Sequence, residues 1–289
     1  MRNNEDRVGV KHPSEPPPPV PTVENNDSQN PAPQALQFVT PTEFVELPTK
    51  GKYYPEGHPL QNQEVVEIKH MTAKDEDILT SRALLKKGIA VDRFLQNVII
   101  DKRIRVEALY VGDKNAIIVA SRINGYGREY STRITCPICA SAGDYSFDLE
   151  EAKVKYADET NQECEYVGGD QFLIKLPKIN VDVTVRLLTG ADEKRMIQVQ
   201  ERARKQKLPE KTLTTQLKMF VVAVNGDSNP QTIDALIQNI PASDSRHLRE
   251  TYKNLAPDVD LTQWYSCDVC GNEEEMEVPF TTDFFWPKR

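Results

Sequence analysis

The stretch VEIKHMTAKDE, residues 66–76, recurs in outline as VTVRLLTGADE, residues 183–193. Val66, Ile68, Met71, Thr72, Asp75 and Glu76 meet Val183, Val185, Leu188, Thr189, Asp192 and Glu193 at one constant offset. Each copy opens with apolar residues at alternate positions, the period of a strand with one buried face. A threonine then stands where a helix N-cap belongs, and acidic residues fill the first turn, where they complement the helix dipole. Asp75 and Asp192 hold the capping-box position that Glu or Gln usually takes, so the box is approximate.

Further matches extend the pair in both directions. FVELP (44–48) meets LIKLP (173–177), and VEAL (106–109) meets IDAL (233–236). Asp113 and Asp244 each open a later helix and precede Cys136 and Cys267 by the same interval. Strand-then-helix signals are common, and chance supplies one such match; several in one order point to an internal duplication. Each half is expected to run through an entry strand, a Thr-capped helix, a second helix, a short turn-helix, an Asp-initiated helix and a Cys-x-x-Cys hairpin. The expected helices lie near 74–87, 91–101 and 113–124, then near 190–206, 211–224 and 242–254. Val91, Phe94, Leu95, Val98 and Ile99 have helical apolar spacing, as do Leu213, Leu217, Phe220 and Val221, and these read as core.

The predicted fold class is α+β: two related, mostly helical repeats, each ending in a small hairpin. The first repeat covers 41–150 and the second 170–289, with a linker over 151–169. Residues 1–40 contain the run Pro16 to Pro19 and many polar residues, too little apolar surface to offset the entropy of ordering. They read first as an extended, solvated tail and second as an arm that docks on a partner.

Four of the five cysteines form two Cys-x-x-Cys pairs: Cys136 and Cys139 in TCPICASAG, Cys267 and Cys270 in SCDVCGNEE. REYSTRIT and DYSFDL flank the first pair, and LTQWYS and EEMEVPF flank the second, all with strand character. Each pair therefore belongs at a hairpin tip, as a zinc knuckle that aims both sulfurs to one side. One knuckle supplies two ligands, whereas a structural zinc takes four in a tetrahedron. The prediction is one structural Zn2+ per chain, bound by Cys136, Cys139, Cys267 and Cys270, in a ribbon split between the halves. Packing about a pseudo-twofold axis would bring the equivalent hairpins together. Four sulfurs leave no open coordination position for water. An iron–sulfur cluster uses the same ligands. A thioredoxin-like redox pair is a weaker reading, because neither pair follows a strand and opens a helix. Cys164, in the polar stretch TNQECEYVGG, reads as an inert thiol.

Other classes of function find little support. The net charge is −8, so no sequence-wide basic field exists to hold nucleic acid, and a protein partner is expected. No apolar run approaches the ~20 residues of a membrane span, and MRNNEDRVGV lacks the apolar core of a secretory signal. A soluble chain, intracellular when made, is expected. The four histidines form no metal motif, and P-loop, dinucleotide and nucleophile-elbow patterns are absent, so no catalytic residue is expected. Asp75/Glu76 and Asp192/Glu193 read as helix N-terminal residues rather than catalytic carboxylates. The basic run KRMIQVQERARKQKLPEK (194–211) reads as a solvated helix face, and second as a docking face for an acidic partner. Phe284, Phe285 and Trp286 either cap the ribbon's hydrophobic side or anchor a partner.

LPTKGKYYP (47–55) and MTAKDEDIL (71–79), within FVELPTKGKYYPEGHPL and VEIKHMTAKDEDILTSRALLKKGIAVDRFL, give the chain a name to be compared with. From about residue 40 to the C-terminus it resembles the baseplate hub protein family of T4-type contractile-tailed phages. The resemblance implies a non-enzymatic component of the tail baseplate, built into the hub or assisting its assembly in the host cytoplasm. Its partners would be other baseplate or hub proteins, with neither nucleic acid nor membrane. The resemblance maps no catalytic motif onto this chain and says nothing about the cysteines, so the metal reading rests on their spacing. The alternative is a zinc-ribbon regulator that binds nucleic acid; the acidic balance and the lack of interleaved basic and aromatic residues on the knuckles count against it.

Overall fold

The computed structural model describes residues 39–157, 164–206, 212–279 and 282–285. The chain divides into Met1–Val39 and Thr40–Arg289, and all elements below belong to the second unit. Mixed helix and sheet surround one buried apolar cluster, an α+β arrangement.

The chain enters through β1 (Thr42–Glu46), which pairs antiparallel with β2 (Val65–Lys69) and sets Val45 opposite Val66. The alternation expected of VEIK holds, with Val66 and Ile68 buried and their neighbours more exposed. Helices α1 (Ala73–Thr80), α2 (Arg82–Lys86) and α3 (Ala90–Val98) follow. Ile68 then makes an antiparallel bridge to Ile99, just past α3. A short 3-10 turn at Val106–Ala108 leads to α4 (Val111–Tyr126), which delivers the chain to the hairpin β3 (Glu129–Thr135) and β4 (Ala142–Asp148).

Next come β5 (Lys153–Lys155) and β6 (Cys164–Gly168), both in the segment expected as a linker. With β7 (Gln171–Leu176) and β8 (Val181–Arg186), β6 belongs to a four-stranded antiparallel sheet. Helices α5 (Gly190–Lys205) and α6 (Thr212–Phe220) precede the sheet's fourth strand, β9 (Val221–Val224). Then α7 (Pro230–Asn239) and α8 (Ala242–Leu255) lead to β10 (Asp258–Asp260), and the hairpin β11 (Thr262–Ser266) and β12 (Glu273–Glu277) closes the order.

Two helix expectations are corrected. The helix near 74–87 breaks at Ser81, whose ψ of 108° is extended. Thr80 turns its hydroxyl back onto the Glu76 carbonyl at 2.9 Å, the local competition by which Thr and Ser interrupt helices. The helix near 211–224 stops at Phe220, and VVAV becomes β9. Valines pack well on a pleated surface, and β8 offers them an edge. The four-stranded sheet also exceeds the small hairpins expected.

Both capping sites use aspartate. The Thr72 N–H and hydroxyl donate to Asp75 Oδ2 at 2.9 and 2.6 Å, and those of Thr189 donate to Asp192 Oδ2 at 3.0 and 2.9 Å. The basic residue ending the preceding strand joins each: Lys69 lies 3.1 Å from Asp75, and Arg186 lies 2.6 Å from Asp192. Asp113 and Asp244, each the third residue of its helix and fully buried, grip the chain just past an entry strand. Asp113 accepts from the Thr49 N–H (3.0 Å), the Thr49 hydroxyl (2.6 Å) and the Tyr54 hydroxyl (2.7 Å). Asp244 accepts from the N–H groups of Lys178 and Ile179, both at 3.1 Å.

The parts on either side of residue 150 are tightly joined. Gly112 lets α4 approach the chain before β10 so closely that a Cβ there would stand 2.1 Å from the Pro257 carbonyl oxygen. Lys114 ties α4 to both Asp92 and Glu193 at 2.9 Å, and within the later part β5 pairs with β10.

Candidate metal centre

Each hairpin ends in the same turn. The Cys136 N–H donates to the Ser141 carbonyl at 2.8 Å and the Ala140 N–H to the Cys136 carbonyl at 2.9 Å. In the other, the Cys267 N–H donates to the Asn272 carbonyl at 2.9 Å and the Gly271 N–H to the Cys267 carbonyl at 2.8 Å. Closing so tightly requires a left-handed residue after the second cysteine. Ala140 has φ 55° and Gly271 φ 66°.

The two tips face one another. All four Sγ atoms of Cys136, Cys139, Cys267 and Cys270 lie within 4.8 Å of each other. The closest pairs run crosswise: Cys136 to Cys270 at 3.7 Å and Cys139 to Cys267 at 3.7 Å. Such spacing is far too wide for a disulfide, and the thiols are free. It suits the edge of a sulfur tetrahedron, roughly 3.8 Å when the metal–sulfur bond is about 2.3 Å. Cys136 and Cys267 are the buried ligands of their pairs, and Cys139 and Cys270 the exposed ones. Four cysteines so close together could hold a metal ion.

The turn amides and one hydroxyl shape the electrostatics. The Cys270 N–H, then the Ser141 hydroxyl, bring the Cys267 thiol down to about 5. Ser141 lies 2.8 Å from Cys139 Sγ and is the main reason that thiol also falls. The Asn272 N–H draws Cys270 down, but desolvation and its bonds to Cys139, Cys267 and Cys136 outweigh this and push it up to about 12. Four neighbouring sulfurs cannot all ionise unaided, whereas a bound cation permits it.

The hairpins also hold each other directly. The Tyr145 hydroxyl donates to the Trp264 carbonyl at 3.1 Å, and the Tyr145 and Tyr265 rings meet edge to face at 5.1 Å. Gln263 bridges to Asp148, accepting from its N–H at 3.2 Å and donating to its carbonyl at 2.6 Å. Ser141, Tyr145 and Gln263 escaped the sequence reading. Tyr145 and Gln263 meet partners remote in the chain, Ser141 lies against both Cys139 and the distant Cys267, and no local pattern marks any of the three.

The other candidates lie elsewhere. Phe284 and Phe285 are 1% and 5% exposed; Phe284 packs against Tyr130 and Phe285 against Phe94, with ring centroids 5.1 and 5.3 Å apart. Arg122 secures this segment, its Nε donating to the Phe284 carbonyl at 2.6 Å. Trp286 lies outside the described residues. Cys164 stands on β6 opposite Ile174 and is not part of the sulfur cluster. Of the basic run, 194–206 belongs to α5 and the residue after it, and 207–211 lies outside the described residues.

A family model for the T4 bacteriophage base plate protein matches residues 40–286. The chain belongs to this family. No curated protein and no solved structure matches it. Membership supports a structural component of the phage baseplate and suggests a non-enzymatic role. It implies a place in the virion tail and contacts with other tail or baseplate proteins. Among the described residues, no helix is long and apolar enough to cross a membrane.

Proposed function

We propose that this chain is a structural or assembly component of the baseplate hub region, acting through protein–protein contacts and without enzyme activity. In this reading it consists of two fused α+β repeats, 41–150 and 170–289, stapled by one structural Zn2+ on Cys136, Cys139, Cys267 and Cys270. The observation that carries the reading is the crosswise sulfur spacing. Exchanging the halves turns the Cys136–Cys270 pair into Cys267–Cys139, and both separations are 3.7 Å. The paired grips of Asp113 and Asp244, and of Asp75 and Asp192, support the same duplication. Four thiolates fill a tetrahedral zinc and leave no site for substrate or water, so the metal's work is to hold the halves together. For Phe284 and Phe285, burial supports capping of the interior rather than partner contact.

Metal analysis of the purified chain tests the centre. One zinc per chain is expected, lost alike from Cys136→Ser and from Cys267→Ser. Metal retained after either change would refute a shared site, and iron with the visible absorption of a cluster would replace zinc. For the biological role, the chain is expected in isolated baseplates or their hub subassemblies; its absence from both would overturn the assignment.

A further inference from the structure

Among the described residues, no strand pairs with the outer edge of β1, whereas the same edge of its counterpart is filled. In the four-stranded sheet, β7 lies between β8 and β6, with Leu173 opposite Glu165 and Phe172 opposite Tyr166. β1 corresponds to β7 through the FVELP and LIKLP match, which makes Phe44 the counterpart of Leu173. Yet β1 has β2 on one side and, among the described residues, no strand on the other.

The ladder shows which groups this leaves outward. The Leu47 N–H donates to the Glu64 carbonyl, and the His70 N–H to the Pro41 carbonyl, both at 2.8 Å. Hydrogen-bonded pairs alternate along an antiparallel ribbon, so Glu43 and Val45 bond β2. Thr42, Phe44 and Glu46 therefore direct their backbone groups away from it. The Phe44 side chain beside this edge is 69% exposed and Val65 on the same ribbon 39%. Native chains usually blunt or cover such an edge, because it templates pairing with another strand.

We propose that a strand from another baseplate protein completes the β1 edge, by main-chain pairing to Thr42, Phe44 and Glu46. The strands β1 and β2 carry Glu43, Glu46 and Glu67 against one lysine, Lys69, which is already bound to Asp75. The arriving strand is therefore apolar where it crosses Phe44 and basic at its flanks. A second copy offering its own β1 would bring two rows of glutamates to one seam, which counts against self-pairing. The comparison with β6 rests on the repeat reading above; the open edge and its charge do not.

Phe44→Pro is the discriminating variant. It deletes an outward N–H, leaves the β2 ladder bonds intact and sits where proline is tolerated, on an edge strand. The variant is expected to keep wild-type metal content and thermal midpoint, yet to fall about tenfold or more in baseplates and their subassemblies. Phe44→Glu, which alters only an exposed side chain, is expected to behave likewise and covers the case that proline unfolds the ribbon. Amide exchange at Thr42, Phe44 and Glu46 should be fast in the isolated wild-type chain and slow in baseplates. Variants incorporated at the wild-type level would overturn the proposal while leaving the assigned function standing. Amides already protected in the isolated chain, or a dimer that Phe44→Pro dissolves, would mean another occupant and would equally overturn it. If the wild-type chain is missing from baseplates, both readings fall.

Discussion

Ala140 and Gly271 hold the same place in their turns, and one of them has the wrong side chain for it. A left-handed backbone costs an L-residue about 1–2 kcal/mol, and glycine escapes that cost while losing more freedom on folding. Ala140→Gly is expected to stabilise the chain by about 0.5–1 kcal/mol, and Gly271→Ala to destabilise it by about 1 kcal/mol or more. Urea unfolding of the two variants beside wild type measures both; equal effects of one sign would show that the turns are not equivalent. At this scale the sequence was readable where chemistry demands a fixed spacing, as it does for Cys136, Cys139, Cys267 and Cys270. It was silent about Ser141 and Gln263, because a hydroxyl or amide serves equally well in many places: Ser141 gains its role from the Cys267 sulfur brought beside it and Gln263 from the distant Asp148.

The helix entries explain part of the pH response. Burial pushes the Asp75 carboxyl up, but bonds from the Thr72 hydroxyl, Asn97 and the Thr72 N–H, with Lys69, outweigh it and hold the group below its ordinary range. Asp192 is likewise lowered, burial being overcome first by Arg186 and then by Thr189. A carboxylate lowered in the folded state favours folding above its unfolded value of about 3.9, and that contribution is lost as pH falls through the folded value. The gap in urea midpoint between wild type and an Asp75→Asn/Asp192→Asn variant should accordingly be full at pH 5–7 and shrink below about pH 4. A gap unchanged at pH 3 would contradict the assignment. Asp113→Ala strands the buried Thr49 N–H and the Thr49 and Tyr54 hydroxyls and should cost about 2–4 kcal/mol, whereas Asp244→Ala strands the part-buried N–H groups of Lys178 and Ile179 and should cost about 1–2 kcal/mol. The entry strands and capped helices could be read from alternation and caps. The ends of α1 and α6 could not, since Thr80 and Val221 are settled by a back-bonded hydroxyl and by the open edge of β8.

Over the whole molecule, the ordered matches between VEIKHMTAKDE and VTVRLLTGADE carried most of what was legible. They set the order of elements and explained why two half-sites stand so far apart. What stayed hidden was contact between distant segments: the pairing of β5 with β10, and the close approach that Gly112 allows. Removing the proposed metal should expose this dependence. A chelator is expected to lower the thermal midpoint by many degrees, and readded zinc to restore it. A midpoint indifferent to both would leave the hairpins held by Tyr145 and Gln263 without help.

The crosswise sulfurs also constrain when the site can exist. A chain grows from its N-terminus, and its first portion folds while the rest is still being made. Cys136 and Cys139 emerge early with two sulfurs to offer, and each finds its nearest opposite number only in Cys270 and Cys267. The closing contacts thus join sulfurs 134 and 128 positions apart in the chain, the kind of non-local step that folds slowly. Until Cys270 is made, the first knuckle has only two of the four sulfurs, and the four-sulfur site can belong only to a chain that has already emerged through Cys270.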